Sequence, residues 1–142
     1  MKIYGILLAS AVLALTSCDT STSVNDDQTS LATPPSGTWE LIAFEPLDGA
    51  VVPVPDPARY TVEFGDETTV HIRADCNRCN GNYETRGGAL ELGLLACTLA
   101  ACPPESLADP YLAALGAASS YEASNDALLV AYPDGLLRFS PQ

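Results

Sequence analysis

Apolar and polar residues alternate with a period of two in short runs along most of the sequence, and that period commits those runs to half-buried β-strands. In "TWELIAFE" the pattern puts Trp39, Leu41 and Ala43 on one face. "RYTVEFG" sets Tyr60, Val62 and Phe64 against Arg59, Thr61 and Glu63, and "TTVHIRAD" turns Val70, Ile72 and Ala74 inward. Gly65-Asp66 between these two runs predicts a hairpin. After the turn residues Arg86-Gly87-Gly88, "ALELGLLA" places Leu90, Leu92 and Leu94 on one face. "ALLVAY" and "LLRFS" flank Pro133-Asp134-Gly135, a second hairpin signal. One stretch breaks the period: "DPYLAALGAAS" reads as a helix with Asp109 as N-cap, Pro110 at the first helical position and an apolar stripe of Tyr111, Leu112 and Leu115. Ala113, Ala114, Ala117 and Ala118 keep it slim enough to pack closely, and Gly116 loosens its end. Strands, one main helix and strands again predict an α+β fold: a single compact domain with a mostly antiparallel β-sheet.

The first residues obey a different rule. In "MKIYGILLASAVLALTSC", Lys2 precedes an uncharged apolar run from Ile3 to Leu15, shorter than the roughly 20 residues that a membrane span needs. It reads as the hydrophobic region of a secretory signal. The small residues before Cys18 resemble the lipobox of bacterial lipoproteins. That resemblance implies a signal peptide over 1–17, cleavage before Cys18 and acylation of Cys18, a membrane attachment by lipid. From Asp19 to Ser36 the chain is rich in Ser, Thr, Asp and Pro without periodicity. With Cys18 it forms a disordered tether over 18–36, letting the domain at 37–142 sit about 20–25 Å from the bilayer. Losing Lys2 with the signal moves the formal charge from −12 to −13. So acidic a surface repels phosphate backbones, which argues against nucleic acid as a partner. It also leaves membrane attachment to the acyl chains rather than to a basic patch.

Few residues offer chemistry. His71, the one histidine, shares the polar face of its strand with Thr69, Arg73 and Asp75 and reads as a solvated strand residue. No G-x-S-x-G elbow or metal-ligating histidine pair is present. Glu91 and Glu105 stand as isolated acids, Glu105 suiting a helix cap or first turn. The cysteines are more informative. Cys76-Asn77-Arg78-Cys79 follows a strand and runs into Asn80-Gly81, read as a turn, whereas a reactive C-x-x-C sits at a helix N-terminus. A zinc ribbon would need a second close pair, but four residues separate Cys97 from Cys102. Four cysteines in an exported domain, with Cys18 taken by lipid, most simply form two disulfides. Local pairs would close only tiny loops. A hairpin at Arg86-Gly87-Gly88 brings Cys76–Cys79 near Ala96–Thr98, favouring bonds across its arms and leaving nested and crossed pairings both open.

"CNRCNGNY" is similar to the Cys-Asn-x-x-x-Gly-x-Tyr signature of the META domain, also called HslJ-like, and "TLAAC" resembles its second motif. "GTWELIAF", "YLAAL" and "ALLVAYPDGLLRF" resemble its beginning and end, so the likeness spans Gly37 to Phe139. Two departures stand out. Asp75 occupies a position where the family usually has Gly, and Cys79 and Cys97 are additional to its usual two cysteines. The usual pair would be Cys76 and Cys102, so the resemblance implies nested bridges, Cys76–Cys102 and Cys79–Cys97. It also implies a compact α+β domain frequent among bacterial envelope lipoproteins, linked in some members to heat response and antibiotic tolerance. No catalytic residue, metal or cofactor comes with it.

Trp39, Asn77, Gly81, Tyr83 and Thr98 are then fold determinants. Asn77 would make an Asx turn, Asn80-Gly81 would supply positive φ, and Tyr83 would cover the core. The functional expectation is a non-enzymatic, stress-related or binding module in the bacterial cell envelope. It would be lipid-anchored, with its domain in the periplasm or at the cell surface and with an unknown protein or small-molecule ligand. The alternative is a thiol redox or metal-handling protein using the four domain cysteines.

Overall fold

The computed structural model describes residues 34 and 36–142. The expected signal over 1–17, Cys18 and the tether as far as residue 33 lie outside the described residues. Pro34, inside the expected tether, is buried.

The alternating runs form antiparallel strands. Strand β1 (Gly37–Pro46) begins with Trp39 and Leu41 inward. A β-bulge between Leu41 and Ala43 then shifts its phase, so Ala43 and Phe44 are both buried. Strand β2 (Val52–Pro53) pairs with Ala43 and Phe44. A short 3-10 turn at Pro57–Arg59 leads into β3 (Tyr60–Phe64), which pairs with β4 (Thr69–Ala74). All six residues expected to face inward on β3 and β4 are buried. Strand β5 (Asn77–Arg86) turns through Gly87 (φ 57) and Gly88 (φ 85) into β6 (Ala89–Leu92). Two successive positive φ values are what a tight two-residue hairpin demands and what glycine supplies without strain. Strand β9 (Leu128–Tyr132) pairs with β10 (Gly135–Pro141) across the turn at Pro133-Asp134.

Two expectations need correction here. Strand β6 ends at Leu92, and Leu94 is 99% exposed rather than aligned with Leu90 and Leu92. The Gly93 N–H still bonds the Asn82 carbonyl at 2.8 Å, in register with the β5–β6 ladder, and the alternation stops beyond it. The chain then runs on beside β5 as β7 (Ala96–Cys97). The helix α1 (Ala108–Gly116) starts before Asp109, at Ala108. Its cap position is Leu107, whose side chain cannot cap, and the Ala108 N–H instead donates to Ser106 Oγ at 3.2 Å. Pro110 at the third position still costs no bond, because the first four helical N–H groups lack intrahelical acceptors anyway. Asp109 lies in the first turn, where a carboxylate complements the helix dipole. The inward stripe is Ala108, Tyr111, Ala114 and Leu115, while Leu112 is half-buried and Ala113 and Ala117 are exposed.

Strand order shows the architecture. Among the described residues the neighbours run β10-β9-β8-β6-β5-β4-β3-β1, with β8 at Ser120–Ala123, and β1 pairs back onto β10. The sheet therefore closes into a barrel, which leaves few free edges. Helix α1 touches β4, β6 and β9, which stand at separate positions around the ring, so it lies across one mouth. Tyr111 points into the core, edge-on to Tyr60 at 6.0 Å between ring centroids and tilted against Phe139 at 6.2 Å. Leu41, Val62, Val70, Leu128, Val130 and Leu137 are fully enclosed, each contributing about 1.5–3 kcal/mol of burial.

Candidate functional site

The turn joining β4 to β5 carries most of the unusual chemistry. Asp75 there has φ 58. A left-handed residue accounts for the glycine that the family resemblance implies here, and Asp is among the few other residues that tolerate it. Its side chain adds what glycine could not. The buried carboxylate pairs with Arg59, accepts a hydrogen bond from Ser106 and a long one, 3.5 Å, from the Tyr60 hydroxyl. The Tyr60 oxygen in turn accepts the Leu107 N–H at 3.0 Å. The Ser106 hydrogen bond, then the Arg59 charge, outweigh burial and hold the Asp75 carboxyl below the ordinary carboxylate range. Asp75 thus fastens the turn to the 3-10 segment and to the entrance of α1.

Beside it the motif residues make a clasp. Asn77 Oδ1 accepts the Ala100 N–H at 2.8 Å, and its Nδ2 donates to the Ala100 carbonyl at 3.1 Å. One side-chain amide thereby pairs with one backbone residue as a neighbouring strand would. Asn77 Oδ1 also accepts from Thr98 Oγ1 at 3.0 Å, and Nδ2 points at Cys102 Sγ at 3.4 Å. Thr98 Oγ1 accepts the Arg78 N–H at 3.0 Å, and the Thr98 N–H bonds the Arg78 carbonyl at 3.0 Å. Asn77 therefore reaches across the molecule instead of forming an Asx turn. Gly81 likewise lies within β5 and is not among the glycines of positive φ. A Cβ there would come within 2.8 Å of Leu95 Cδ2 and 2.9 Å of the Leu94 carbonyl oxygen. Close backbone approach is its reason, and the turn expected at Asn80-Gly81 sits at Asp75-Cys76.

Two disulfides complete the clasp. Cys76 is bonded to Cys102, with Cα atoms 5.5 Å apart, and Cys79 is bonded to Cys97, its cross-strand neighbour between β5 and β7. Cys79 is 1% exposed within the core, whereas Cys76, Cys97 and Cys102 are half-buried. Against the clasp lies a groove of about 320 Å³ lined by Asn77, Ala100, Cys102, Pro103, Ser106 and Ala108, among others.

The remaining sequence candidates lie apart. Trp39 is buried on β1, and Tyr83 is buried edge-on to Phe64 with centroids 5.0 Å apart. Burial, then the Asp66 charge, raise the Tyr83 phenol above its usual value. His71 Nδ1 faces Asn80 Oδ1 at 2.6 Å on the exposed side of the sheet, opposite Glu63. Glu91 stands opposite Glu84, and Glu105 is exposed in the turn before α1. Among the described residues no group of three His, Cys, Asp or Glu side chains converges as a metal would require, and no helix is long and apolar enough to cross a membrane.

Sequence reasoning missed the Arg59–Asp75–Ser106–Tyr60 network. Its signal was present in the substitution of Asp for an expected Gly. It missed also the fork between Arg138 and Glu45, Nε to Oε1 at 2.5 Å and an end nitrogen to Oε2 at 3.2 Å, which joins β10 to β1.

Comparison with known proteins agrees with this geometry. The META domain model matches residues 29–142. An NMR structure of a protein from Burkholderia xenovorans is 24% identical, covering 75% of this chain and 82% of its own, with a TM-score of 0.65. The crystal structure of a duf4847 family protein from Bacteroides vulgatus is 16% identical, covering 74% and 92%, with a TM-score of 0.55. At these identities the likeness is one of fold. No curated protein matches the chain.

Proposed function

Since the chain belongs to the META domain family, we propose that it is a lipid-anchored bacterial envelope protein whose barrel is a non-enzymatic binding or stress-related module. The observation that supports this reading most is the clasp. The family-motif side chains Asn77 and Thr98 spend their polar atoms on the chain itself, and all four domain sulfurs are paired. Cysteines whose spacing alone would suggest a zinc site or a free dithiol are, in this reading, held in the folded protein as two bridges between chain segments. Bonds of that kind belong to an oxidising compartment, in keeping with the exported address read from residues 1–18.

Anchoring and activity are tested separately. The wild-type protein should partition into a detergent phase, and Cys18→Ser should remain in water. A wild-type protein of unmodified mature mass in the aqueous phase removes the anchor. For the module, the oxidised protein should show no titratable thiol in its domain and no bound zinc. Stoichiometric metal or free domain thiols would replace this reading with the metal-handling one. Crosslinking in the native envelope then identifies the partner.

A further inference from the structure

We propose that Cys76–Cys102 is a site of thiol–disulfide exchange with a dithiol reductant, while Cys79–Cys97 in the same clasp is shielded from it. Access differs first. Cys102 is half-buried and borders the groove with Asn77, Ala100, Pro103 and Ser106, which gives its side chain a path to solvent. Cys79 is enclosed in the core. Attack on Cys97, the half-buried end of the second bond, would expel Cys79 as a bare thiolate among apolar side chains, which that environment strongly disfavours.

The surroundings of the first bond suit both steps. The incoming thiolate bonds to Cys102 Sγ, and the electron pair of the Cys76–Cys102 bond leaves on Cys76 Sγ. Cys76 takes a proton and, as a thiol, faces the Ala100 carbonyl oxygen 3.6 Å away. The second thiolate of the reductant then attacks its own sulfur in the mixed disulfide. Cys102 leaves as a thiolate with the Asn77 Nδ2–H group at 3.4 Å to stabilise it. The reductant departs as a disulfide, two electrons and two protons poorer; Cys76 has taken one of those protons, Cys102 takes the other from solvent, and the protein holds two thiols.

The exchange unlatches one end of the molecule. The Asp75-Cys76 turn loses its covalent tie to the segment entering α1, whereas β5 and β7 stay joined through Cys79–Cys97. The test uses the oxidised full-length chain, exposed to a limiting small dithiol and quenched over time with an alkylating agent. Trypsin places Cys76 in 74–78 and Cys79 in 79–86, and a chymotryptic cut after Leu99 separates Cys97 from Cys102. Cys76 and Cys102 should be labelled at least about tenfold sooner than Cys79 and Cys97. In denaturant that lead should vanish. A smaller lead in the folded protein, a reversed order, or a lead that survives denaturation overturns the proposal.

Discussion

Tyr111 carries a hydroxyl into the centre of the barrel, where it is fully buried and has no hydrogen-bond partner among the described residues. Burial pushes its phenol well above the ordinary range, so it stays neutral. A buried hydroxyl without a partner costs about 1–3 kcal/mol. Tyr111→Phe, which keeps the ring contacts with Tyr60 and Phe139, should leave the urea midpoint unchanged or raise stability by up to about 2 kcal/mol. A clear loss would show that the hydroxyl is bonded. Asp75 is the opposite case, a buried polar group with several partners. Its folded carboxyl titrates below the unfolded value, so its contribution is present in full above about pH 5 and is lost as the pH falls through the folded value, below about 4. Asp75→Asn tolerates the left-handed backbone but lacks the charge. Chemical denaturation across pH should show it less stable than wild type at neutral pH, with the gap closing in acid. A gap that does not change with pH would mean that the ionised carboxylate is not what holds the turn.

At the scale of elements, the clasp takes the place of a strand pairing. The side-chain amide of Asn77 satisfies both backbone groups of Ala100, where no regular ladder continues. Asn77→Ala should cost about 1–3 kcal/mol, toward the lower end because this stretch is solvent-accessible. Asn77→Asp retains the acceptor for the Ala100 N–H and should fall between the two in thermal midpoint. If Asn77→Ala matches wild type, the disulfides alone hold the loop. The same contrast explains what could be read in advance. Hairpins β3–β4, β5–β6 and β9–β10 were legible because a two-residue period and a glycine or proline turn are local signals. The clasp was legible only as motif residues: an amide pairing with a backbone unit more than twenty positions away leaves no periodic trace. The role of Gly81 leaves no local mark for a related reason, since close approach by Leu94 and Leu95 and a positive φ both call for glycine. Leu94 fitted the apolar alternation of β6, yet the pairing with β5 stops at Leu92 and Gly93 and leaves Leu94 outside the sheet.

Closure into a barrel is a property of the whole molecule, because pairing of the first strand with the last is set by sheet twist and not by any local run. The ring is not uniform. Strands β1 and β10 pair from Trp39–Pro141 to Pro46–Gly135, and the Arg138–Glu45 fork ties them further. Strands β6 and β8 meet at Ala89–Ser120 alone, through the Leu90 N–H to Ser119 and the Tyr121 N–H to Gly88. Local opening follows the weakest set of hydrogen bonds and contacts, so the barrel should part at this seam. Native-state hydrogen exchange should therefore show peptides covering β6 and β8 losing protection well before those covering β1 and β10. Reducing the disulfides should narrow the difference, since each bridge contributes at most about 2–5 kcal/mol to the global stability that sets the protection of β1 and β10, and neither bridge touches β6 or β8. If β1 and β10 exchange as early as β6 and β8, the closing strands are no stronger than the seam, and opening is global instead of starting between β6 and β8.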